Sequence, residues 1–139
     1  MFTVLALLTP GAPDVQIETF ADRVLSQFGG APGFKLEYEV LPFNTERNLF
    51  LQWQSDWVVR VIYETAEDDE LVVPDSIQIA KILGKAAPAG IADCTRRVRV
   101  VFEDDPDEQH IDDMLEIMSM LEELDGAVVF DPQKNKIMD

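Results

Sequence analysis

The sequence predicts an α+β domain, a single mixed sheet of five or six strands carrying three helices in the order β-α-β-β(-β)-α-β-α-β. Three observations predict it. "FKLEYEVL" (34–41) sets apolar Leu36, Tyr38 and Val40 against Lys35, Glu37 and Glu39, the period of a strand with one wet face. Ile17, Phe20, Ala21, Val24 and Phe28 recur instead at helical spacing. The two patterns interleave along the chain, which favours one sheet with helices packed on it over separate all-β and all-α units.

The elements follow in order. "MFTVLALLTP" opens the chain as a buried strand, and Pro13-Asp14 reads as the entry to the first helix, with Asp14 placed to cap free N–H groups and Gly29-Gly30 as its stop. After "FKLEYEVL", the aromatic and β-branched runs "NLFLQWQ" and "DWVVRVIYE" are separated by Ser55-Asp56, so two or three antiparallel strands are expected. "TAEDDE" is an acidic surface loop. Pro74-Asp75 precedes "SIQIAKILG", a short helix with Ile79, Ile82 and Leu83 inward and Gly84 as its stop. "KAAPAGIADC" is a loop and "RRVRVVF" the next strand. Pro106-Asp107 then opens a helix whose inward stripe is Ile111, Met114, Leu115, Met118 and Leu121, ended by Asp125-Gly126. "AVVF" is a last strand, and "DPQKNKIMD" a polar tail with room for a short turn back. Residues 2–29 and 98–125 share the plan of strand, loop and Pro-Asp-led helix without sharing sequence.

Length and composition bound the function. A chain of 139 residues fits one domain, 1–139, and 47% hydrophobic residues are enough to drive folding. Asp and Glu number 27 against 11 Lys and Arg, a formal charge of -16 that repels nucleic-acid phosphates and anionic membranes. A cationic partner is expected; solubility or adaptation to salt is the plainer use of such charge. Cys94 is the only cysteine, which rules out an internal disulfide and suits a reducing compartment. The apolar opening run has no basic residues before it and is too short to span a bilayer, so a cytoplasmic location is expected.

The densest cluster of chemistry is "VVFEDDPDEQHIDD" (100–113). "RVRVVFEDDPDEQHIDDMLEIMSMLEELDGAVVF" resembles the opening of a response-regulator receiver domain, in which an acidic pair at a strand end helps bind magnesium. A receiver also needs an Asp on a third strand and a Lys on a fifth, and only 10 residues follow Val129, so phosphoryl signalling is set aside. Asp104, Asp105 and Asp107 could offer oxygens to a hard cation, but the EF-hand spacing is absent, and consecutive acids on a loop more often stay solvated. His110, one turn from both Asp107 and Asp113, is read as an exposed imidazole pairing with neighbouring acids, because one His and one Cys are too few for a zinc or iron site. General acid-base work would require a desolvated carboxylate, and no glycine-rich phosphate loop or nucleophile elbow is present. No metal and no cofactor are expected. Trp53 and Trp57 flank "QSD" and either anchor a partner or fill the core. Met114, Met118 and Met120 suggest an adaptable groove but are assigned to the core.

The expectation is therefore a stoichiometric binding protein and not an enzyme, whose partner-binding residues are Glu67, Asp68, Asp69 and Glu70, then Glu103, Asp104, Asp105, Asp107 and Glu108, with Trp53 and Trp57. In size, acidity, single-domain build and lack of catalytic motifs, the chain resembles the small cytoplasmic immunity proteins that neutralise bacterial polymorphic or secreted toxins. That resemblance implies a basic toxin domain as partner, its cationic active site or substrate channel covered by the acidic loops. A nucleic-acid mimic that inhibits a DNA- or RNA-binding protein, and a small metal-dependent enzyme using the 103–108 carboxylates, are the alternatives. The sequence leaves the oligomeric state open.

Overall fold

Strand β1 (Phe2–Leu8) lies inside the sheet and is covered on both faces, which is why FTVLALL shows almost no polar alternation. A computed structural model describes residues 1–40, 42 and 47–138. Val4, Ala6 and Leu8 enter the larger apolar cluster on one side of the sheet, and Leu5 and Leu7 the smaller one on the other. Strands β2 (Lys35–Val40), β3 (Arg47–Gln52), β4 (Val58–Thr65), β5 (Arg96–Phe102), β6 (Ala127–Asp131) and β7 (Lys136–Ile137) complete a seven-stranded sheet of order β2-β3-β4-β5-β1-β6-β7.

Every neighbouring pair in that sheet is antiparallel, so the expected mixed sheet of five or six strands is corrected on both counts. Strands β5 and β6 do run in the same direction, but β1 lies between them and pairs with each. The seventh strand comes from the polar tail, where Phe130 pairs with Ile137. The final residues of "FKLEYEVL" and of the tail, Leu41 and Asp139, fall outside the described residues.

Helices α1 (Ile17–Phe28) and α3 (Ile111–Glu122) cover the larger cluster, and α2 (Val72–Leu83) covers the smaller one with the short turn that carries buried Ile91 and Cys94. Phe20, Val24 and Phe28 of α1 share one cluster with Trp53, Trp57 and Phe102, Phe28 packing edge-on against Trp53, and each large side chain contributes roughly 1.5–3 kcal/mol by leaving water.

None of the three Pro-Asp pairs sits where the sequence placed it. Gln16, not Asp14, precedes α1 and makes no side-chain cap, because Asp14 accepts from Arg96 and Tyr63 instead. Helix α2 begins two residues before Pro74, and Asp75, inside its first turn, pairs with Arg97. Pro106 and Asp107 lie in a turn before α3, not at its start.

The inward faces shift as well. In α3 the buried residues are Ile117, Met118, Met120 and Leu121, while Ile111 and Leu115 are 43% and 54% exposed. The reason is that β6 pairs only with the Leu5–Leu8 half of β1, and α3 starts beside the other half, where no strand lies on that flank. Ile82 of α2 is likewise exposed, and Tyr38 and Val40 of edge strand β2 lie open to solvent.

Candidate functional site

The two acidic segments leave the sheet from opposite ends. Thr65 lies opposite Arg96 and Val59 opposite Phe102, so Glu67–Glu70 follow β4 at one end and Glu103–Glu108 follow β5 at the other. Seven residues of strand separate them by roughly 20 Å. They do not form one face.

At the first end, acids and arginines are matched. Asp69 Oδ1 accepts from the Leu71 N–H at 2.8 Å. Burial pushes the Asp69 carboxyl up, but the Leu71 N–H, a hydrogen bond with Glu64 and the charges of Arg97 and Arg99 together hold it below its ordinary value. Beneath it, Arg97 bonds Glu64 and Asp75, and Arg99 bonds Glu64 with two nitrogens. Glu67 and Asp68 border a cavity of about 830 Å³ that also contains Asp14, Tyr63 and Arg96. Arg96 bonds Asp14 at 2.8 Å, the Tyr63 hydroxyl donates to Asp14 at 3.2 Å, and burial followed by the Asp14 charge pushes the Tyr63 phenol up.

At the second end the described counter-charges are fewer: the Met1 amino group at Asp104 and, toward Glu116, Arg23. Val100 to Gln133 contains no Lys or Arg. Arg23, Arg60, Arg96, Arg97 and Arg99 each pair with a carboxylate elsewhere, Arg23 reaching Glu123 at the far end of α3. Asp105 accepts from the N–H groups of Gln109 and His110 at 3.0 and 2.8 Å, so it holds the turn that starts α3. Glu103 accepts from the Val58 N–H through its carboxylate and from the Trp57 indole through its carbonyl. Asp104 meets the Met1 amino group, and Asp107 and Glu108 are exposed.

Trp53 and Trp57 lie behind this loop, 7% and 5% exposed, in a ring cluster with Phe28, Phe34 and His110. The structure places both in the core, not at the surface. His110 is corrected too: it is buried and stacked flat on Trp57, with centroids 4.3 Å apart and planes 3° apart. Its Nδ1 is 2.8 Å from Asp113 Oδ2 and its Nε2 is 2.6 Å from Ser55 Oγ.

Ser55, His110 and Asp113 thus have the connectivity of a nucleophile, base and orienting acid. Acyl transfer also needs N–H donors aimed at a developing oxyanion. Here the Asp56 N–H is spent on the Trp53 carbonyl, and those of Gln109 and His110 on Asp105. The small cavity beside Ser55, about 210 Å³, is bordered by Asp56, Glu103, Asp104, Asp105 and Asp107, whose charges oppose an oxyanion. The trio ties the β3–β4 turn, with Asp56 at φ +69°, to the first turn of α3.

Sequence reasoning missed Ser55 and the Glu64–Arg97–Arg99 network. The spacing of His110 and Asp113 signalled their pairing, whereas Ser55 is brought in only by the tertiary fold. Among the described residues no three His, Cys, Asp or Glu side chains converge as a metal site, and no helix is long and apolar enough to cross a membrane. No protein-family model, curated protein or solved structure matches the chain.

Proposed function

We propose that this protein binds a basic protein partner stoichiometrically in the cytoplasm, without a catalytic step of its own, and that the partner docks on the end formed by residues 103–116. The observation that carries this is the imbalance of charge: Arg60, Arg96, Arg97 and Arg99 pair with carboxylates elsewhere, while the stretch from Val100 to Gln133 contains no Lys or Arg. Clustered carboxylates in excess of the cations near them speed encounter with a cationic surface and disfavour neutral or acidic partners. Size, acidity and build support the narrower reading that the partner is a toxin domain and this chain its immunity protein, which covers a cationic active site.

The test is an affinity capture from the native lysate at low and moderate salt, followed by titration of the recovered protein against variants. Asp104→Lys with Asp107→Lys is the informative pair, because Asp105 holds a turn and its replacement would confound folding with binding. A basic protein recovered in near-equal amount, at least tenfold weaker on this variant than on Glu67→Lys with Asp68→Lys at the opposite end, is the expected result. Equal effects at both ends, or no basic partner, would overturn it.

A further inference from the structure

The exposed edge of α3 carries more than charge. Ile111 and Leu115, one helical turn apart, stand 43% and 54% exposed. With Met1, Phe2, Met114 and Met118 they line a groove of about 360 Å³, and Glu103, Asp104 and Asp105 border it, Asp104 meeting the Met1 amino group. Helix periodicity alone would have buried Ile111 and Leu115, so the fold leaves uncovered an apolar strip that it had the pattern to hide. The half-buried Met114 thioether adds surface that adapts to the shape of what it meets.

Charge decides what covers it. A second copy would bring another -16 and, in a two-fold contact, set the same carboxylates against each other. An anionic membrane is repelled in the same way. A strand joining by backbone pairing would need the flank of β1 that β6 leaves open, but the Thr3 N–H and carbonyl there are already bonded to the Gln133 side chain at 2.9 and 2.8 Å. We propose that this groove takes one helix of the basic partner, with leucine-like side chains at three- and four-residue spacing seated against Ile111, Met114 and Leu115 and with Lys or Arg on the Asp104 and Asp105 rim. The proposal rests on the basic-partner reading above and gives it an apolar anchor, which supplies affinity that survives salt.

The probe is a synthetic peptide of roughly 18 residues, five helical turns, made of Leu and Lys with all Leu on one face, compared with a scrambled peptide of the same composition. Calorimetric titration and amide chemical shifts are recorded on the whole chain. The patterned peptide should bind about tenfold or more tightly than the scrambled one and shift Ile111, Leu115 and Asp104. Leu115→Ser and Ile111→Ser should each weaken it several-fold and leave the melting temperature nearly unchanged, since both side chains are already exposed. Equal binding of both peptides, unaffected by these substitutions, would overturn the groove and leave the charge-based reading standing. Failure of either peptide to bind even at low salt would overturn both. A dimer in sedimentation that Leu115→Ser dissolves would show that a second copy covers the strip and overturn the proposal.

Discussion

Arg97 Nε and Glu64 Oε1 lie 2.9 Å apart under α2, their side chains only 5% and 6% exposed. Glu64 also serves Arg99, and Arg97 also reaches Asp75, so one carboxylate from β4 balances two guanidinium groups of β5. Removing that carboxylate leaves a buried cation whose desolvation is no longer offset. Glu64→Gln should lower unfolding free energy by about 3–5 kcal/mol in urea titration. A loss under about 1 kcal/mol would mean that Asp69 and Asp75 take over the pairing.

The Ser55–His110–Asp113 trio gives a prediction that separates structure from chemistry. His110→Phe keeps a ring on Trp57 but removes both nitrogens, leaving Ser55 and Asp113 without their partner; a loss of about 1–3 kcal/mol is expected. A fluorophosphonate serine probe should leave Ser55 unmodified, because the N–H groups of Asp56, Gln109 and His110 are already engaged and five carboxylates border the adjoining cavity. Labelling that disappears in Ser55→Ala would establish an activated serine and turn the reading toward acyl transfer.

Salt should stabilise the isolated chain. Repulsion among the acids at the 103–116 end is screened over about 8–10 Å at physiological ionic strength, and the melting temperature should rise by about 2–5 °C from low to moderate salt. Asp107→Asn should flatten the response. A melting temperature that is flat or falls with salt would mean that the acids are neutralised locally.

Alkaline pH probes the smaller cluster. Burial, helped by the Asp93 charge, pushes the Cys94 thiol up to about 11. A pKa raised by folding favours the protonated form, so this stability is fully present below the unfolded value and is lost as pH rises through the folded one. Stability should therefore fall between about pH 9 and 11, by about 1–3 kcal/mol, together with the Tyr63 phenol, whose pKa is shifted the same way. Cys94→Ala should make the alkaline loss smaller, and iodoacetamide should modify the native thiol slowly at pH 8.

The β-branched runs of β4 and β5 and the apolar stripe of α1 were legible because each reports a burial set by nearest neighbours, whereas the alternation of β2 marked a strand but not its burial, since at the sheet edge only Leu36 packs on the core. Helix faces were legible only where the sheet beneath is complete: α1 lies as its stripe predicts, whereas α3 starts beside the half of β1 that β6 does not reach, and Ile111 and Leu115 emerge. The Pro-Asp signals misled for a related reason. Asp14 found Arg96 of β5, distant in sequence, whose charge outweighs the dipole of the nearby helix end, and Asp75, which pairs with Arg97, lies inside the first turn of α2 and not before it. The acidity of both loops was plain from composition. Their placement at opposite ends of the sheet depends on the β4–β5 pairing, which composition does not encode.

The central position of β1 has a kinetic consequence. Its partners are residues 96–102 and 127–131, so a strand that leaves the ribosome early cannot pair on either side until about a hundred residues more have been made. Until then FTVLALL is the kind of segment that adheres to other nascent chains. The surplus of carboxylates that follows it gives each incomplete chain a negative charge that holds such chains apart during that wait.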